Sequence, residues 1–592
     1  MKTPIPPLTA ERRRRLTEVA MRRCPATAWI RGGRVFNVYT GELLRAEVVL
    51  CDDRIAYVGE KTPNVNDETA IIDADGLILV PGYLEPHAHP FLLYNPFALA
   101  AFALRHGTTG MVNDNLYLFH RLDVEELEAF WDETAELPVR MWWWVRLDPQ
   151  TDSPLLRRRY TPERTGRLLA HPAVLQAGEL TAWPDLLAGD AALVAGVDRA
   201  RALGKRVEGH HPGASVETLN AVAAAGVTAC HEAINGEEAL RRLRLGLYAT
   251  LRHSSIRPDV PTLVRELVSS GIDLTSRLML TTDGSPPPFL REGFLDAVLR
   301  EALAAGLPPL AAYRAATLNV AVYYGLDGDI GGIAPGRVAD INFLEDLANP
   351  TPVHVISGGR LRVQDGRLVD APPSLDWSRY PALCRYAPRV APADPDWFRV
   401  IDPGFPFPVM ELVNAVITRV SRDVPTVRDG EVVPDPDRGE LHAALLSADG
   451  HWVTTGIVRG FGLFDALASS FSGSGDLMVL GRDRKAMARA VDAVCEMGGG
   501  IVLVDGGREV YRLPLPLGGC MSDLPMDELM ERTEQLVTLL RQRGYGHTDP
   551  LYSLFFFSST HLPALRFTPD GLYDVKQKRM LVPSRLLEHG QR

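Results

Sequence analysis

Residues 83–89, Tyr-Leu-Glu-Pro-His-Ala-His, open the pattern that decides the fold. They read as a short strand with two imidazoles, His87 and His89, at its end. Side chains at i and i+2 of a strand leave the same face and aim at a common point, which is a metal-ligand spacing. The pair alone is weak evidence, because most chance pairs of this kind are surface or core histidines. The seven later runs carry the weight. Strand-like stretches recur at TTGMVNDN (108–115), VRMWWWVRL (139–147), VLQAGEL (174–180), KRVEGHH (205–211), VTACHE (227–232), LYATLRH (247–253) and RLMLTTD (277–283), with helical stretches between them. Eight such units in about 250 residues match the size of a (β/α)8 barrel, whose functional groups sit where strands end. Glu179, His210, His231 and Asp283 fall at those ends. Four imidazoles and two carboxylates therefore share one rim. Imidazole suits Zn, Mn, Fe or Ni, and a cation so held can lower the pKa of bound water toward ~7.

Working outward, short β-rich runs between residues 28 and 80 return in style near residue 337. The fold class is α/β, and the predicted organisation has four parts. Residues 1–27 are an extension with a helix capped by Thr9; residues 28–80 and 332–375 form one small β-domain; residues 81–331 are the barrel; residues 376–592 are a Pro-rich linker and a C-terminal α/β domain. The basic run Arg12 to Arg15 reads as a surface helix face rather than a phosphate grip.

At 592 residues the chain exceeds one core, and 46% hydrophobic with 23% charged residues is ordinary globular composition. A net charge of −11 opposes nucleic acid and anionic membranes, so the partner is a small molecule. The six cysteines contain no C-x-x-C pair, which fits a reducing compartment. The first residues lack an apolar core segment, and no uncharged run reaches about 18 residues. These features predict a soluble, cytoplasmic protein, expected as a homo-oligomer. The Gly-rich segments match neither G-x-G-x-x-G nor a P-loop.

PGYLEPHAHP (81–90), GEL (178–180), GHHPGAS (209–215), CHE (230–232) and TTD (281–283), in this order, resemble the amidohydrolase superfamily and, within it, the adenine deaminases. The resemblance extends from about residue 28 to 580, through GGIAPGRVADINFLED (331–346), FGLFDALASS (461–470) and LPLPLGGCMSD (513–523). It implies a metal-dependent barrel, a small flanking β-domain and an adenine-deaminase-type C-terminal domain. By the same resemblance, His87, His89, His210 and His231 are imidazole ligands. Glu179 bridges two metals, Asp283 is ligand and proton shuttle, and one or two Mn2+ are the cofactor, with Fe2+ or Zn2+ as alternatives. Glu232 orients the substrate or protonates a ring nitrogen, or else fixes an imidazole tautomer. Asn113, Asp114 and Arg252, at strand ends, are candidate substrate contacts. Trp142, Trp143 and Trp144 alternate along one strand, so at least one belongs to the core; a stacking platform is the second reading.

Two departures fall on the substrate side. The family's Ile-Glu-Ser-Ser after H-x-H is here Pro90, Phe91, Leu92 and Leu93. Its His-Asp-Ser-His-Asn loop is here Phe471 to Asp476. Both segments are expected to line the pocket. The implied reaction is hydrolytic deamination of an aminopurine, adenine giving hypoxanthine and ammonia. The alternatives are another amino-heterocycle or cyclic amide as substrate, and a catalytically silent ligand-binding protein.

Overall fold

The computed structural model describes residues 1–151, 153–371, 374–390, 392–421 and 423–587; the end of the expected C-terminal unit, 588–592, lies outside the described residues. Eight parallel strands build the centre: β1 (Tyr83–Ala88), β2 (Thr108–Asp114), β3 (Arg140–Val145), β4 (Val174–Leu180), β5 (Arg206–Gly209), β6 (Ala229–Cys230), β7 (Tyr248–Arg252) and β8 (Leu278–Thr281). They lie side by side in chain order. The fold is mixed α/β.

Closure between β8 and β1 runs through a side chain. One Glu85 carboxylate oxygen accepts from the Thr281 hydroxyl (2.6 Å) and the His87 amide (2.9 Å); the other accepts from the Thr282 amide (2.9 Å). Burial raises the Glu85 carboxyl to about 7, against the pull of these hydrogen bonds. The first and last strands are thereby pinned directly beneath His87.

The period-2 alternation of β3 sorts its three tryptophans. Trp142 and Trp144 point inward with Leu84, Val112 and Met279, while Trp143 packs outward against Phe130 and Trp131. All three are buried. Trp144 forms the floor of the rim, its ring 4.5 Å from that of His87 and 5.8 Å from that of His89.

Helices return each strand to the next, and their starts are marked by capping side chains. Asn95 accepts from the amides of Phe97 and Ala98, Asp123 and Glu126 form a reciprocal box, and Ser215 accepts from Thr218. Ahead of the barrel, Thr9 caps the helix Ala10–Ala20, which Arg12 and Arg15 tie to Asp53 and Asp52.

The two flanks of the barrel meet in one seven-stranded sheet, where Ile341–Leu344 pairs antiparallel with Ile78–Pro81. Beyond residue 400, a largely antiparallel sheet is packed by the helix Arg484–Glu496. A short helix, Pro550–Phe556, reaches back to the barrel mouth: the Tyr552 hydroxyl donates to the Gly284 carbonyl (2.8 Å), and Asp549 accepts from the Ser255 hydroxyl (2.6 Å). No helix among the described residues is long and apolar enough to cross a membrane.

Gly178 shows how closely the strands must approach. Its φ is +123°, and a Cβ there would sit 2.4 Å from the Glu208 carbonyl of β5. Gly178→Ala must therefore push β4 from β5 between Glu179 and Glu208, at a penalty of about 2 kcal/mol or more. Denaturant unfolding is expected at a lower midpoint, with reduced metal uptake by elemental analysis; an unchanged midpoint and metal content would contradict this packing.

Candidate metal centre and its cavity

The strand ends bring His87, His89, Glu179, His210, His231 and Asp283 together at the barrel mouth, in three overlapping groups of converging ligand atoms. The Nε2 atoms of His87 and His89 are 3.1 Å apart, and each lies close to Asp283 Oδ1, at 3.1 and 3.3 Å. On the other side, Glu179 Oε1 stands 2.5 Å from His210 Nδ1 and 3.3 Å from His231 Nε2, and those nitrogens are 3.2 Å apart.

Behind the imidazoles stands a row of carboxylates. Glu208 takes His87 Nδ1 on one oxygen (2.7 Å) and His231 Nδ1 on the other (3.0 Å). Asp114 takes His89 Nδ1 at 2.9 Å and is gripped by two nitrogens of the buried Arg146, at 2.5 and 2.9 Å. Arg146 also reaches Glu179 Oε2 at 2.8 Å. Arg252 joins Asp283 Oδ2 (2.6 Å) to Glu232 (2.7 Å), and Arg257 adds a further guanidinium to Glu232 at 3.3 Å.

This arrangement fits a cation on chemical grounds. With Nδ1–H donated backward to Glu208 and Asp114, the His87 and His89 Nε2 lone pairs face each other and the Asp283 oxygen. Three acceptors then converge, and a shared cation would satisfy them all. Charge points the same way. Among the described residues, five buried carboxylates (Asp114, Glu179, Glu208, Glu232, Asp283) are set against three guanidiniums, Arg146, Arg252 and Arg257. Burial alone would raise the carboxyls, yet Arg146 holds Asp114 at about 2. Arg252 keeps both Glu232 and Asp283 well below the usual carboxylate range despite their burial.

Above the rim lies a cavity of about 480 Å³. Its floor includes His89, Glu179, His210, Glu232, Arg252 and Asp283. Its walls are mostly apolar: Phe91 and Leu92 from the barrel, then Val416, Ile417, Tyr552, Phe555 and Phe556 from the C-terminal part of the chain. His561, on the same side, is pushed down to about 3 by burial and by neighbouring His210.

Some expectations change here. Asn113 is wholly buried and spends its amide on the Trp142 and Met111 carbonyls, bridging strands. Asp114 faces His89 and Arg146, so it fixes the orientation of that imidazole. Neither residue lines the cavity, whereas Arg252 does. Residues 471–476 do not line it either. They sit one layer behind, where Phe471 backs Phe555 with ring centres 4.9 Å apart and the Ser474 amide donates to the Ser558 hydroxyl. Glu208, Arg146 and His561 were not singled out from the sequence. The first two carried the same strand-end polarity as the named ligands, Glu208 sharing strand parity with His210. His561 carried no such signal.

Comparison with known proteins adds to this geometry. The amidohydrolase family matches residues 78–362, and the adenine deaminase C-terminal domain matches residues 415–579. A protein of Halalkalibacterium halodurans named "Putative adenine deaminase BH0637" is 42% identical over 563 residues, covering 94% of this chain and 95% of its own length. A protein of Moorella thermoacetica named "Adenine deaminase" is 33% identical over 591 residues, covering 97% and 98%.

Glu208 provides the sharpest test of the rim. Glu208→Gln keeps its size but cannot accept from both Nδ1–H groups as a charge, and removing such a backing carboxylate typically costs about 10–100-fold in metal affinity. Chelator competition should show that loss with circular dichroism unchanged; undiminished affinity would separate Glu208 from the metal centre.

Proposed function

This chain belongs to the adenine deaminase family of the amidohydrolases, and from that premise we propose that it is a divalent-metal-dependent hydrolase deaminating an aminopurine, with adenine and water giving hypoxanthine and ammonia as the reference reaction. The observation that carries the reading is the convergence of four imidazoles and two carboxylates under one cavity. His87, His89, Glu179, His210, His231 and Asp283 would hold the metal, which we assign as one or two Mn2+; such nitrogen and oxygen donors also accept Fe2+ or Zn2+. When bound, the metal supplies Lewis-acid activation of the attacking water.

The remaining work falls to side chains. Asp283 is assigned the proton transfer from water to the departing amine, supported by the approach of its Oδ1 to both Nε2 atoms while Arg252 fixes its other oxygen. Glu232 is assigned to orient the heterocycle. Held ionised by Arg252 and Arg257, it suits accepting a ring N–H better than giving a proton.

A second reading keeps the chemistry and changes the substrate. Phe91 and Leu92 stand at the cavity where the family carries polar residues, and pockets of about 300–1,000 Å³ hold drug-sized ligands, so 480 Å³ leaves room beyond a bare purine. These apolar walls favour a larger or less polar amino-heterocycle over adenine, or a cyclic amide. A silent ligand-binding protein is disfavoured, since keeping so many buried charged groups without use is costly.

Ammonia release by manganese-reconstituted protein, across purines, pterins and pyrimidines, tests the reading. Adenine turnover is expected below about 10⁴ M⁻¹s⁻¹ in kcat/KM, the low end for enzymes, with a larger or less polar aminopurine preferred. Asp283→Asn should lower kcat by about 10²-fold or more. Release from no compound would overturn the deaminase reading, and near-wild-type turnover by the Asn variant would remove Asp283 from proton transfer.

A further inference from the structure

The cavity is not closed by the barrel alone: one of the residues on its wall is a histidine from the C-terminal part of the chain. His561 comes after the helix Pro550–Phe556 and lines the cavity beside the metal rim. Its ring stands nearly perpendicular to His210 (centroids 5.4 Å apart, 86°) and to Phe556 (5.7 Å, 78°). Its Nδ1 is buried with no hydrogen-bond partner among the described residues. No hydrogen bond within the described residues holds Nδ1, so the imidazole is not placed here to serve a neighbouring side chain, while the ring lines the cavity a ligand would enter. The groups of converging ligand atoms at the rim do not include His561.

The segment carrying it is held firmly on both sides. Before it, the Thr560 hydroxyl donates to the Gln150 carbonyl (3.3 Å), and the Gly473 amide donates to the Phe555 carbonyl (2.9 Å). After it, the buried Arg566 guanidinium donates to the Leu562 and Pro563 carbonyls, at 3.2 and 2.7 Å. Gly473 is part of the fit: a Cβ there would sit 2.6 Å from the Ser559 hydroxyl. The small residues at 472–474 thus give the turn room to lie flat and carry the imidazole to the cavity. A side chain fixed before the ligand arrives loses little freedom on binding.

We propose that His561 is a substrate-contacting residue, hydrogen-bonding the bound heterocycle, so that the C-terminal part of the chain supplies a recognition group to the barrel's active site. This rests on the reading that the cavity holds an amino-heterocycle. The imidazole edge that lines the cavity offers a donor or an acceptor, according to its tautomer, to the alternating donors and acceptors of a purine-like ring.

Three variants separate contact from space-filling: His561→Ala, His561→Gln, which keeps a donor and an acceptor, and His561→Phe, which keeps the bulk. The readouts are manganese content, KM and kcat with adenine and with the best compound of the panel, and hypoxanthine Kd by calorimetry on metal-loaded protein. The expected result is a rise of about 10–100-fold in KM and Kd for Ala and Phe, smaller changes in kcat, unchanged manganese, and recovery to within about 5-fold of wild type in Gln. Unchanged KM and Kd in Ala, full recovery in Phe, or manganese loss in Ala would each overturn the proposal while wild-type deamination stands. A wild type that neither releases ammonia nor binds hypoxanthine would overturn the functional reading, and this proposal with it.

Discussion

Glu208 is the hinge on which the site turns. One carboxylate, buried below the rim, receives Nδ1 of His87 from β1 and Nδ1 of His231 after β6, and so fixes two rings from different strands in one tautomer. The geometry above it is a consequence. With Nδ1 committed, the Nε2 atoms must face upward, and they face other acceptors. The same logic repeats at His89 with Asp114, and Arg146 links that pair to Glu179. The barrel supports this through close strand approach at Gly178 and through Glu85, which joins β8 to β1 under His87.

Such a lattice is expensive in isolation. Each buried carboxylate loses water, and the three guanidiniums among them do not balance the charge. A divalent cation at the rim would offset that excess and at the same time satisfy the converging lone pairs. The apolar cover from Phe91, Leu92, Val416, Phe555 and Phe556 keeps bulk water away, which strengthens every charge interaction beneath it. The barrel supplies the chemistry and the C-terminal part supplies much of the roof.

Much of this was legible in the sequence because two simple rules govern it. Strand parity put His87 and His89 on one face, and the apolar-first, polar-last order of the barrel runs pointed to Glu179, His210, His231 and Asp283. Depth was not legible. Parity cannot say whether a polar residue faces the cavity or lies a layer below, so Asn113 and Asp114 looked like substrate contacts but bind strand carbonyls and a histidine. Glu208 and Arg146, with comparable polarity, lie in the supporting layer. The roof was read from the wrong segment: residues 471–476 pack behind Phe555, and the histidine that reaches the cavity is His561. Its position depends on how a distant turn rests on the barrel, which no local pattern encodes. Trp144, as the floor beneath the imidazoles, is a product of alternation once β3 is set.

The proposed hydrolysis depends on where a cation sits. Anomalous diffraction from crystals of the manganese-loaded protein measures this without reference to any substrate. The prediction is a strong peak among His87, His89 and Asp283, with a second among Glu179, His210 and His231 when two ions are bound. No peak at the rim, or manganese held only elsewhere, would contradict the metal centre.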